Sequence, residues 1–318
     1  MLRVGISENI PPAWLPEFPE QVQLIPLGYT SSEIHEIDFW IPPLYQKFAE
    51  PQHARLRGVK VVQSMLAGVD WMLPWVRPGV TLCDGQGLHD VSTAEWVVGS
   101  ILSAYKRFPE FRDRQREEFW DGQLVGGKFP DNQEPPPYRV LGEELSGKTV
   151  LIVGYGRIGI AIETRLKALE VDILRVARSA RPGVSPVSDL PTLLPQADIV
   201  VLIVPLTAET RGMMNASLFA RMKPGALLVN AARGPVVDTD ALLQALCEHR
   251  IHAVLDVTDP EPLPKGHPLW AAPNCFLTPH VAGSTPGFFI RGYRFAAEQM
   301  RRYLAGEPLR NIVNAQGY

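Results

Sequence analysis

The apolar run Val150–Val153 leads directly into Gly154-Tyr155-Gly156-Arg157-Ile158-Gly159, and this junction constrains the fold more than any other feature of the chain. The run predicts a buried strand, the Gly-x-Gly-x-x-Gly spacing predicts a tight turn, and the apolar spacing that follows predicts a helix. In such a unit Gly154 permits the turn, Gly156 lets a pyrophosphate approach the backbone, and Gly159 brings the helix close to the strand. Because the N-terminus of a helix also attracts phosphate, the junction predicts a dinucleotide site rather than a plain glycine-rich turn.

Downstream of this junction, apolar runs of strand length alternate with helical patterns. The run Ile199–Val204 contains no polar residue, which is typical of a parallel strand buried on both faces. The predicted strands are Thr149–Val153, Asp172–Val176, Ile199–Val204, Ala226–Asn230, His252–Asp256 and Cys275–Thr278, and the predicted helices include Ile158–Leu169 and Asp240–His249. Because crossovers between parallel strands are right-handed, this order predicts a doubly wound, Rossmann-like α/β sheet.

The N-terminal part of the chain predicts a second, smaller α/β unit. Its apolar runs of strand length are separated by polar or Pro/Gly-rich segments, and they are Leu2–Ile6, Gln23–Leu27, Ile37–Ile41, Val59–Ser64 and Val80–Cys83. A chain of 318 residues also exceeds one ordinary core of roughly 100–200 residues. We therefore expect two doubly wound parallel-sheet domains.

Two helices are expected to join or close these domains. The segment Ser92–Glu95 predicts a capping box at the start of a long helix that would bridge them. A last helix is predicted to be capped by Thr285 and stopped by Gly306, and the tail Leu309–Val313 is expected to pack on the first domain. The Gly- and Pro-rich segment 122–137 predicts either an oligomer arm or a surface loop.

Composition excludes several classes of function. Hydrophobic residues make up 46% of the chain and charged residues 20%, and the net charge is −3, which argues against nucleic-acid or membrane-surface partners. The three scattered cysteines predict neither a disulfide framework nor a metal site, and they favour a reducing compartment. Neither a signal peptide nor an apolar run of the ~20 residues that span a bilayer is evident, so we expect a cytoplasmic protein.

Ligands of a doubly wound sheet bind at the carboxyl ends of its strands. In this sequence those ends carry polar or otherwise special residues, namely Gly154–Gly159, Ala177-Arg178, Val204-Pro205, Ala231–Gly234, Asp256 and His280. Since parallel strands end along one edge, their convergence predicts a single site, in which we assign Val204, Pro205 and Ala231 to the cofactor.

The end of the second strand indicates which dinucleotide is bound. An acid normally stands there and hydrogen-bonds the ribose 2′-OH, but this position is Ala177. The following Arg178, Ser179 and Arg181 suit a 2′-phosphate, because a guanidinium binds phosphate through two hydrogen bonds. The sequence therefore favours NADP(H) over NAD(H), with ordinary solvated arginines as the alternative.

Three side chains at other strand ends suit acid–base chemistry. Arg233, flanked by small residues, would bind a carboxylate and polarise an adjacent carbonyl. Glu261 and His280 end neighbouring strands, so the carboxylate would hold the imidazole and favour its protonated form for general acid catalysis. Alone, His280 is typical of a structural histidine and Arg233 of a surface arginine, but the three together favour a catalytic site.

A separate anion site is suggested in the N-terminal part. After the strand Val59–Ser64, the small residues Ala67 and Gly68 leave backbone N–H groups accessible at a strand end. Such groups suit a small anion such as a carboxylate, and a plain strand-to-helix turn is the alternative.

Four motifs in this order resemble the D-isomer-specific 2-hydroxyacid dehydrogenases, and most of all their glyoxylate/hydroxypyruvate reductase-like branch. The motifs are Gly154–Gly159, Asn230–Gly234, Asp256–Pro264 and Thr278–Ser284. The resemblance implies a cofactor domain, residues 97–283, inserted into a substrate domain built from residues 1–96 and 284–318. It also implies a homodimer.

The resemblance further implies roles for individual residues. Arg233 would bind and orient the substrate, Glu261 would support the histidine, and His280 would donate and accept the proton. The other implied contacts are the amides of Ala67 and Gly68 at the substrate carboxylate, Arg157 and Ile158 at the pyrophosphate, and Asp256 near the nicotinamide amide. The chain departs from the pattern at Ala177, at Met65-Leu66, where Gly-Ala is common, and at Thr258, where Phe is common.

We therefore expect an enzyme that transfers hydride between NADP(H), or NAD(H), and a small 2-keto or D-2-hydroxy acid such as glyoxylate or hydroxypyruvate. A related dehydrogenase acting on formate, phosphite or phosphoglycerate is an alternative. Formate dehydrogenases of this fold pair the histidine with glutamine, so Glu261 argues against formate. A nucleotide-sensing interaction protein of the same fold is the other alternative, and the absence of long disordered tails argues against it.

Overall fold

The computed structural model describes residues 1–118, 142–272 and 274–313, and the chain divides into two compact units. The first unit combines residues 1–92 with residues 283–318, and the second is the continuous segment 93–282. The second unit is thus inserted in sequence between the two segments of the first. The segment 122–137, expected to be an arm or a loop, lies outside the described residues.

The second unit is built on a seven-stranded sheet. In chain order the strands are β8 (Thr149–Val153), β9 (Asp172–Ala177), β10 (Ser185–Pro186), β11 (Ile199–Leu202), β12 (Ala226–Asn230), β13 (Ile251–Leu255) and β14 (Cys275–Leu277). They pair in the order β10-β9-β8-β11-β12-β13-β14, and every pairing is parallel. The chain reverses its direction of strand addition between β8 and β11, which makes this pair the switch point at which doubly wound sheets bind ligands.

Helices cover both faces of this sheet. They are α4 (Arg157–Leu166), α5 (Leu190–Leu193), α6 (Ala216–Phe219), α7 (Thr239–Cys247) and most of α2 (Asp90–Tyr105), with 3-10 turns at Lys167–Leu169, Val187–Asp189, Leu194–Gln196, Gly234–Val236 and Pro268–Ala271. A further helix, α3 (Phe108–Arg116), has no buried residue. Successive residues of β8 and β11 enter opposite hydrophobic clusters, because strand side chains alternate between faces. All four residues of β11 are buried, which confirms a strand covered on both faces, although the strand ends at Leu202, two residues before the predicted end at Val204.

The first unit carries a smaller parallel sheet. Its strands are β1 (Leu2–Ser7), β2 (Val22–Leu27), β3 (His35–Glu36), β4 (Phe39–Trp40), β5 (Leu56–Arg57), β6 (Val61–Gln63) and β7 (Thr81–Cys83). Five of them form the order β2-β1-β4-β6-β7, whereas β3 and β5 pair separately. Its helices are α1 (Gln46–Arg55) and α8 (Pro286–Leu304), with 3-10 turns at Pro12–Trp14 and Asp70–Trp75. The expected α/β class with two parallel sheets is therefore confirmed.

The helix starts were predicted unevenly. Thr285 does cap α8, since its side chain accepts from the amide of Phe288, and Pro286 takes the first helical position. The capping box at Ser92 was wrong: α2 begins at Asp90, and Ser92 lies inside the helix, where its hydroxyl donates to the carbonyl of His89.

The tail does pack on the first unit, because the amide of Val313 donates to the carbonyl of Leu82 at 2.9 Å. Within the described ranges, no helix combines the length and apolar character needed to cross a bilayer.

Candidate active site

The turn after β8 is shaped by contact with its neighbour β11. Gly154 has φ of +106°, and a Cβ added to it would lie 2.5 Å from the carbonyl oxygen of Ile203. Only glycine tolerates both the conformation and the contact. Close packing of this turn therefore brings the glycine-rich loop beside Val204 and Pro205, the residues assigned to the cofactor at the end of β11.

The other two glycines of the motif have different surroundings. Gly159 is packed tightly, since its Cβ would lie 3.1 Å from the carbonyl oxygen of Gly154, so the packing around it favours glycine. Gly156 has an ordinary φ of −104° and is exposed, and a Cβ on it would meet no described atom within 4 Å. Protein packing does not explain a glycine at 156, whereas the close approach of a ligand to the backbone does. The loop thus fits a dinucleotide pyrophosphate.

The first turn of α4 contains the next two assigned residues. Arg157 is the first helical residue and is exposed. The side chain of Ile158 packs against the hydrophobic cluster under the sheet, so its contribution to a phosphate site is limited to its backbone N–H. Gly156 immediately precedes the helix, so these N–H groups face the open position beside it.

The end of β9 carries positive charge and no acid. Arg178 and Ser179 are exposed. The pKa of Glu209, on the loop after β11, is lowered chiefly by a hydrogen bond from Thr207 and to a smaller extent by the charge of Arg178. The guanidinium of Arg181 donates to the carbonyl oxygen of Tyr155, inside the glycine-rich loop. Two arginines therefore follow Ala177, the position at which an acid normally holds the ribose 2′-OH.

The loop after β12 presents Arg233. The amide oxygen of Asn230, at the end of β12, accepts from the amide of Ala232 at 3.0 Å, and the Asn230 amide nitrogen donates to the carbonyl of Arg233 at 3.3 Å. A Cβ on Gly234 would lie 1.9 Å from the carbonyl oxygen of Thr258, so glycine is required for the two loops to touch. These contacts hold the half-buried Arg233 next to the loop that follows β13.

Glu261 and His280 form the predicted pair. The Nδ1 of His280 lies 2.6 Å from the Oε1 of Glu261, and both side chains remain partly exposed. Burial alone would raise the pKa of Glu261, but the hydrogen bond and charge of His280, the amide of Thr258 and the charge of Arg233 outweigh it and lower that pKa. The pairing of Glu261 with His280 is therefore present, and Arg233 lies close enough for its charge to act on Glu261. That the three side chains form one catalytic site stays a prediction.

Asp256 organises the loop that carries His280. Its buried carboxylate accepts from the hydroxyl of Thr278 at 2.5 Å and from the amides of Val281 and Ala282 at 2.8 Å each. The backbone amide of His280 donates to the carbonyl of Asp256 at 2.7 Å. These bonds hold His280 at φ +54°, a left-handed conformation that a non-glycine residue rarely adopts. A contact of Asp256 with the nicotinamide stays a prediction.

The predicted anion loop of the first unit follows β6. The amide of Gly85 donates to the carbonyl of Leu66 at 2.8 Å, and Ala67 and Gly68 are half-buried. Met65, one of the departures from the family pattern, is 4% exposed and packs against Gly292 of α8. Its side chain is therefore part of the core of the first unit.

Sequence reasoning missed a charged cluster behind the glycine-rich loop. Glu163 of α4 receives hydrogen bonds from Arg175 of β9 and from the phenol of Tyr155. Nothing in the sequence signals this contact, since it joins residues from three elements. Among the described residues, no group of three or more His, Cys, Asp or Glu side chains is arranged to hold a metal ion.

Comparison with known proteins agrees with this geometry. The sequence profile described as D-isomer specific 2-hydroxyacid dehydrogenase, NAD binding domain, matches residues 98–282. The chain is 38% identical over 268 residues to the glyoxylate reductase of Thermofilum pendens, covering 81% of this chain and 76% of that protein. It is 34% identical over 261 residues to the glyoxylate reductase/hydroxypyruvate reductase of Homo sapiens, covering 79% and 76%.

A solved structure extends the likeness to the whole fold. The D-isomer specific 2-hydroxyacid dehydrogenase from Xanthobacter autotrophicus Py2, crystallised in complex with NADPH and MES, matches with a TM-score of 0.75 and 30% identity, covering 99% of this chain and 98% of that one. The family resemblance drawn from the four motifs is thereby confirmed. The chain belongs to the D-isomer specific 2-hydroxyacid dehydrogenase family of oxidoreductases, and residues 98–282 are its NAD-binding domain.

Proposed function

We propose that this protein is an NADPH-dependent reductase of small 2-keto acids such as glyoxylate and hydroxypyruvate. The observation that carries the proposal is the contact of 2.6 Å between His280 and Glu261, with Arg233 close enough for its charge to lower the pKa of that glutamate. The likeness to glyoxylate and hydroxypyruvate reductases supports the substrate class.

His280 is the proposed proton donor. Its Nδ1 is engaged by Glu261, which leaves Nε2 as the atom that gives a proton to the forming alkoxide. The lowered pKa of Glu261 keeps that carboxylate ionised, so it stabilises the imidazolium before transfer and orients the ring throughout. The reduced nicotinamide, when bound, supplies the hydride to the keto carbon.

Arg233 and the amides of Ala67 and Gly68 are the proposed substrate-binding groups. A guanidinium binds a carboxylate through paired hydrogen bonds and also stabilises negative charge that develops on a neighbouring carbonyl oxygen. Backbone amides complete the recognition of the carboxylate without adding a further charge. Substrates that lack a carboxylate next to the carbonyl should therefore react poorly.

The cofactor is proposed to be NADP(H) rather than NAD(H). The 2′-phosphate would lie near Arg178, Ser179 and Arg181, beside Ala177, where an acid would have repelled it. The double change Ala177→Asp with Arg178→Ala should shift the preference toward NADH, measured as the ratio of kcat/KM for the two cofactors. An unchanged preference would exclude Arg178 from 2′-phosphate binding.

The proposal is tested by one spectrophotometric panel. Purified protein is assayed for oxidation of NADPH and of NADH with glyoxylate, hydroxypyruvate and pyruvate, and for reduction of NADP⁺ and NAD⁺ with formate, phosphite and 3-phosphoglycerate. We expect turnover with the keto acids and higher kcat/KM with NADPH. Turnover confined to formate, phosphite or 3-phosphoglycerate would show that the substrate is not a 2-keto acid. No turnover with any pair of cofactor and substrate would refute the enzymatic role.

We also propose a cytoplasmic homodimer. The three cysteines, Cys83, Cys247 and Cys275, are free thiols, which fits a reducing compartment. The dimer follows from the family resemblance, and light scattering coupled to size-exclusion chromatography tests it: a mass of twice 35.3 kDa is expected, and a monomer mass would refute it.

A further inference from the structure

Tyr155, the residue between the first two glycines of the loop, lies between two arginines. The guanidinium of Arg175 lies 5.6 Å from the centre of the Tyr155 ring and that of Arg181 lies 5.7 Å from it. Arg181 also donates to the backbone carbonyl of Tyr155, so it is attached to this residue through both ring and backbone. Cation–π contact of this kind orients a planar guanidinium.

The ring itself is held from behind by a buried carboxylate. The phenol of Tyr155 donates to Oε2 of Glu163 at 2.5 Å. Glu163 also accepts from Nε and Nη2 of Arg175, at 2.6 and 2.5 Å, and lies 2.8 Å from the ammonium of Lys167. The Glu163 side chain is only 6% exposed, so these partners fix its position and thereby fix the tyrosine ring.

A tight turn places Arg181 next to the ring of Tyr155. The amide of Arg181 donates to the carbonyl of Val184 at 3.1 Å, the amide of Val184 donates back at 2.8 Å, and Gly183 turns the chain at φ +74°. The strand β10 then returns alongside the end of β9. Arg181 is therefore held where the glycine-rich loop meets the end of the second strand, which is the place of the ribose 2′ position in this fold.

We propose that Tyr155 is a positioning residue for cofactor selectivity: locked by Glu163 and Arg175, its ring holds the guanidinium of Arg181 in place to bind the 2′-phosphate of NADP(H). The proposal rests on the proposed preference for NADP(H). It adds the tyrosine beneath the exposed arginines to the residues that determine that preference. A guanidinium ordered before binding loses less side-chain entropy when phosphate arrives, so the effect should appear as affinity for the 2′-phosphate alone.

Calorimetry with two cofactor fragments tests the proposal without turnover. The probes are 2′,5′-ADP, which carries the 2′-phosphate, and 5′-AMP, which lacks it, titrated into the purified full-length protein. Wild type should bind 2′,5′-ADP at least ~10-fold more tightly. Tyr155→Leu should weaken 2′,5′-ADP ~10-fold and change 5′-AMP less than about twofold, whereas Tyr155→Phe, which keeps the ring, should weaken 2′,5′-ADP only about threefold.

A double-mutant cycle decides whether Tyr155 acts through Arg181. The change Arg181→Ala alters an exposed side chain and should preserve the fold, while the exposed Arg221→Ala serves as a control for the loss of one positive charge. If the tyrosine positions the arginine, the double variant should lose as much affinity for 2′,5′-ADP as Arg181→Ala alone. Independent roles would instead multiply the fold-losses of the two single variants.

The outcomes separate the two proposals. Wild-type selectivity near one for 2′,5′-ADP over 5′-AMP would refute the preference for NADP(H), and this inference with it. Clear wild-type selectivity that survives in Tyr155→Leu, or additive effects in the cycle, would overturn the role of Tyr155 alone. If Tyr155→Leu does not fold, Tyr155→Phe and Arg181→Ala carry the test: unchanged selectivity in Arg181→Ala would overturn the proposal.

Discussion

The buried carboxylate of Asp256 offers a sharp test of how the catalytic loop is held. In Asp256→Asn one carboxylate oxygen becomes an NH₂ group, while the shape of the side chain is unchanged. If the remaining oxygen keeps its bonds to Thr278 and Val281, the NH₂ group faces the amide of Ala282, where two donors meet. The substitution therefore removes one charge-assisted hydrogen bond and leaves a buried amide without an acceptor.

The magnitude follows from these contacts. A hydrogen bond to a charged group contributes about 1.5–3 kcal/mol, and a buried donor left unsatisfied costs about 1–3 kcal/mol, so with overlap between the two we expect a loss of about 2–4 kcal/mol. For a unit of this size each kcal/mol shifts Tm by roughly 2–4 °C, which predicts a decrease of about 4–16 °C. The released loop should also let His280 leave its left-handed conformation, lowering kcat at least ~10-fold.

Two measurements check this prediction. Differential scanning calorimetry gives Tm, and steady-state reduction of glyoxylate gives kcat and KM. The exposed aspartate at the start of β9 provides the matched control, since Asp172→Asn makes the same chemical change far from the loop. A Tm within about 1 °C of wild type together with kcat within about twofold would refute the claim that Asp256 holds the His280 loop.

Three further predictions concern the cofactor loop, the substrate and pH. Gly154→Ala should lower Tm by several degrees, because its Cβ would meet the Ile203 carbonyl at 2.5 Å. Gly156→Ala should leave Tm unchanged and weaken NADPH binding ~10-fold or more. Equal effects of the two variants on Tm would contradict the different roles given to these two glycines. Arg233→Lys should raise KM for glyoxylate ~10-fold or more by removing paired hydrogen bonds, and an unchanged KM would exclude that contact. The pKa of Glu163 falls from its ordinary 4.5 to about 2 because of its hydrogen bond from Arg175, which outweighs the opposing effect of burial. Its stabilising contribution is complete above pH 4.5 and is lost as pH falls toward 2, so the Tm difference between wild type and Glu163→Gln should shrink on acidification. A difference independent of pH would contradict the ion pair.

Strands buried on both faces were the easiest elements to predict from sequence. β11 could be predicted from its own residues alone, since four consecutive apolar residues are typical of a strand covered on both faces. Ends were harder, because hydrogen bonds to neighbours decide where a strand stops: the run 37–41 predicts five residues, but only Phe39 and Trp40 are paired as β4. β10 has two residues and no apolar pattern, so no feature of the sequence predicts it.

The residues of the candidate site also differ in how far the sequence predicts them. The proximity of Arg233, Glu261 and His280 could be predicted because each lies in the loop that follows a parallel strand, and parallel strands end along one edge. The hydrogen bonds of Asp256 to the amides of Val281 and Ala282 could not be predicted, since backbone amides leave no trace in residue type. The same holds for the cluster around Glu163, whose partners come from different elements and meet only when the sheet forms.

The central claim is that His280, held by Glu261, gives the proton in reduction of a 2-keto acid. Its most direct test is kcat for NADPH oxidation with glyoxylate by wild type and by His280→Gln, measured after thermal melting has shown that the variant is folded. We expect kcat to fall ~10²-fold or more in the variant, because general acid catalysis is lost while substrate binding is kept. Turnover of the folded variant near the wild-type rate would contradict the account.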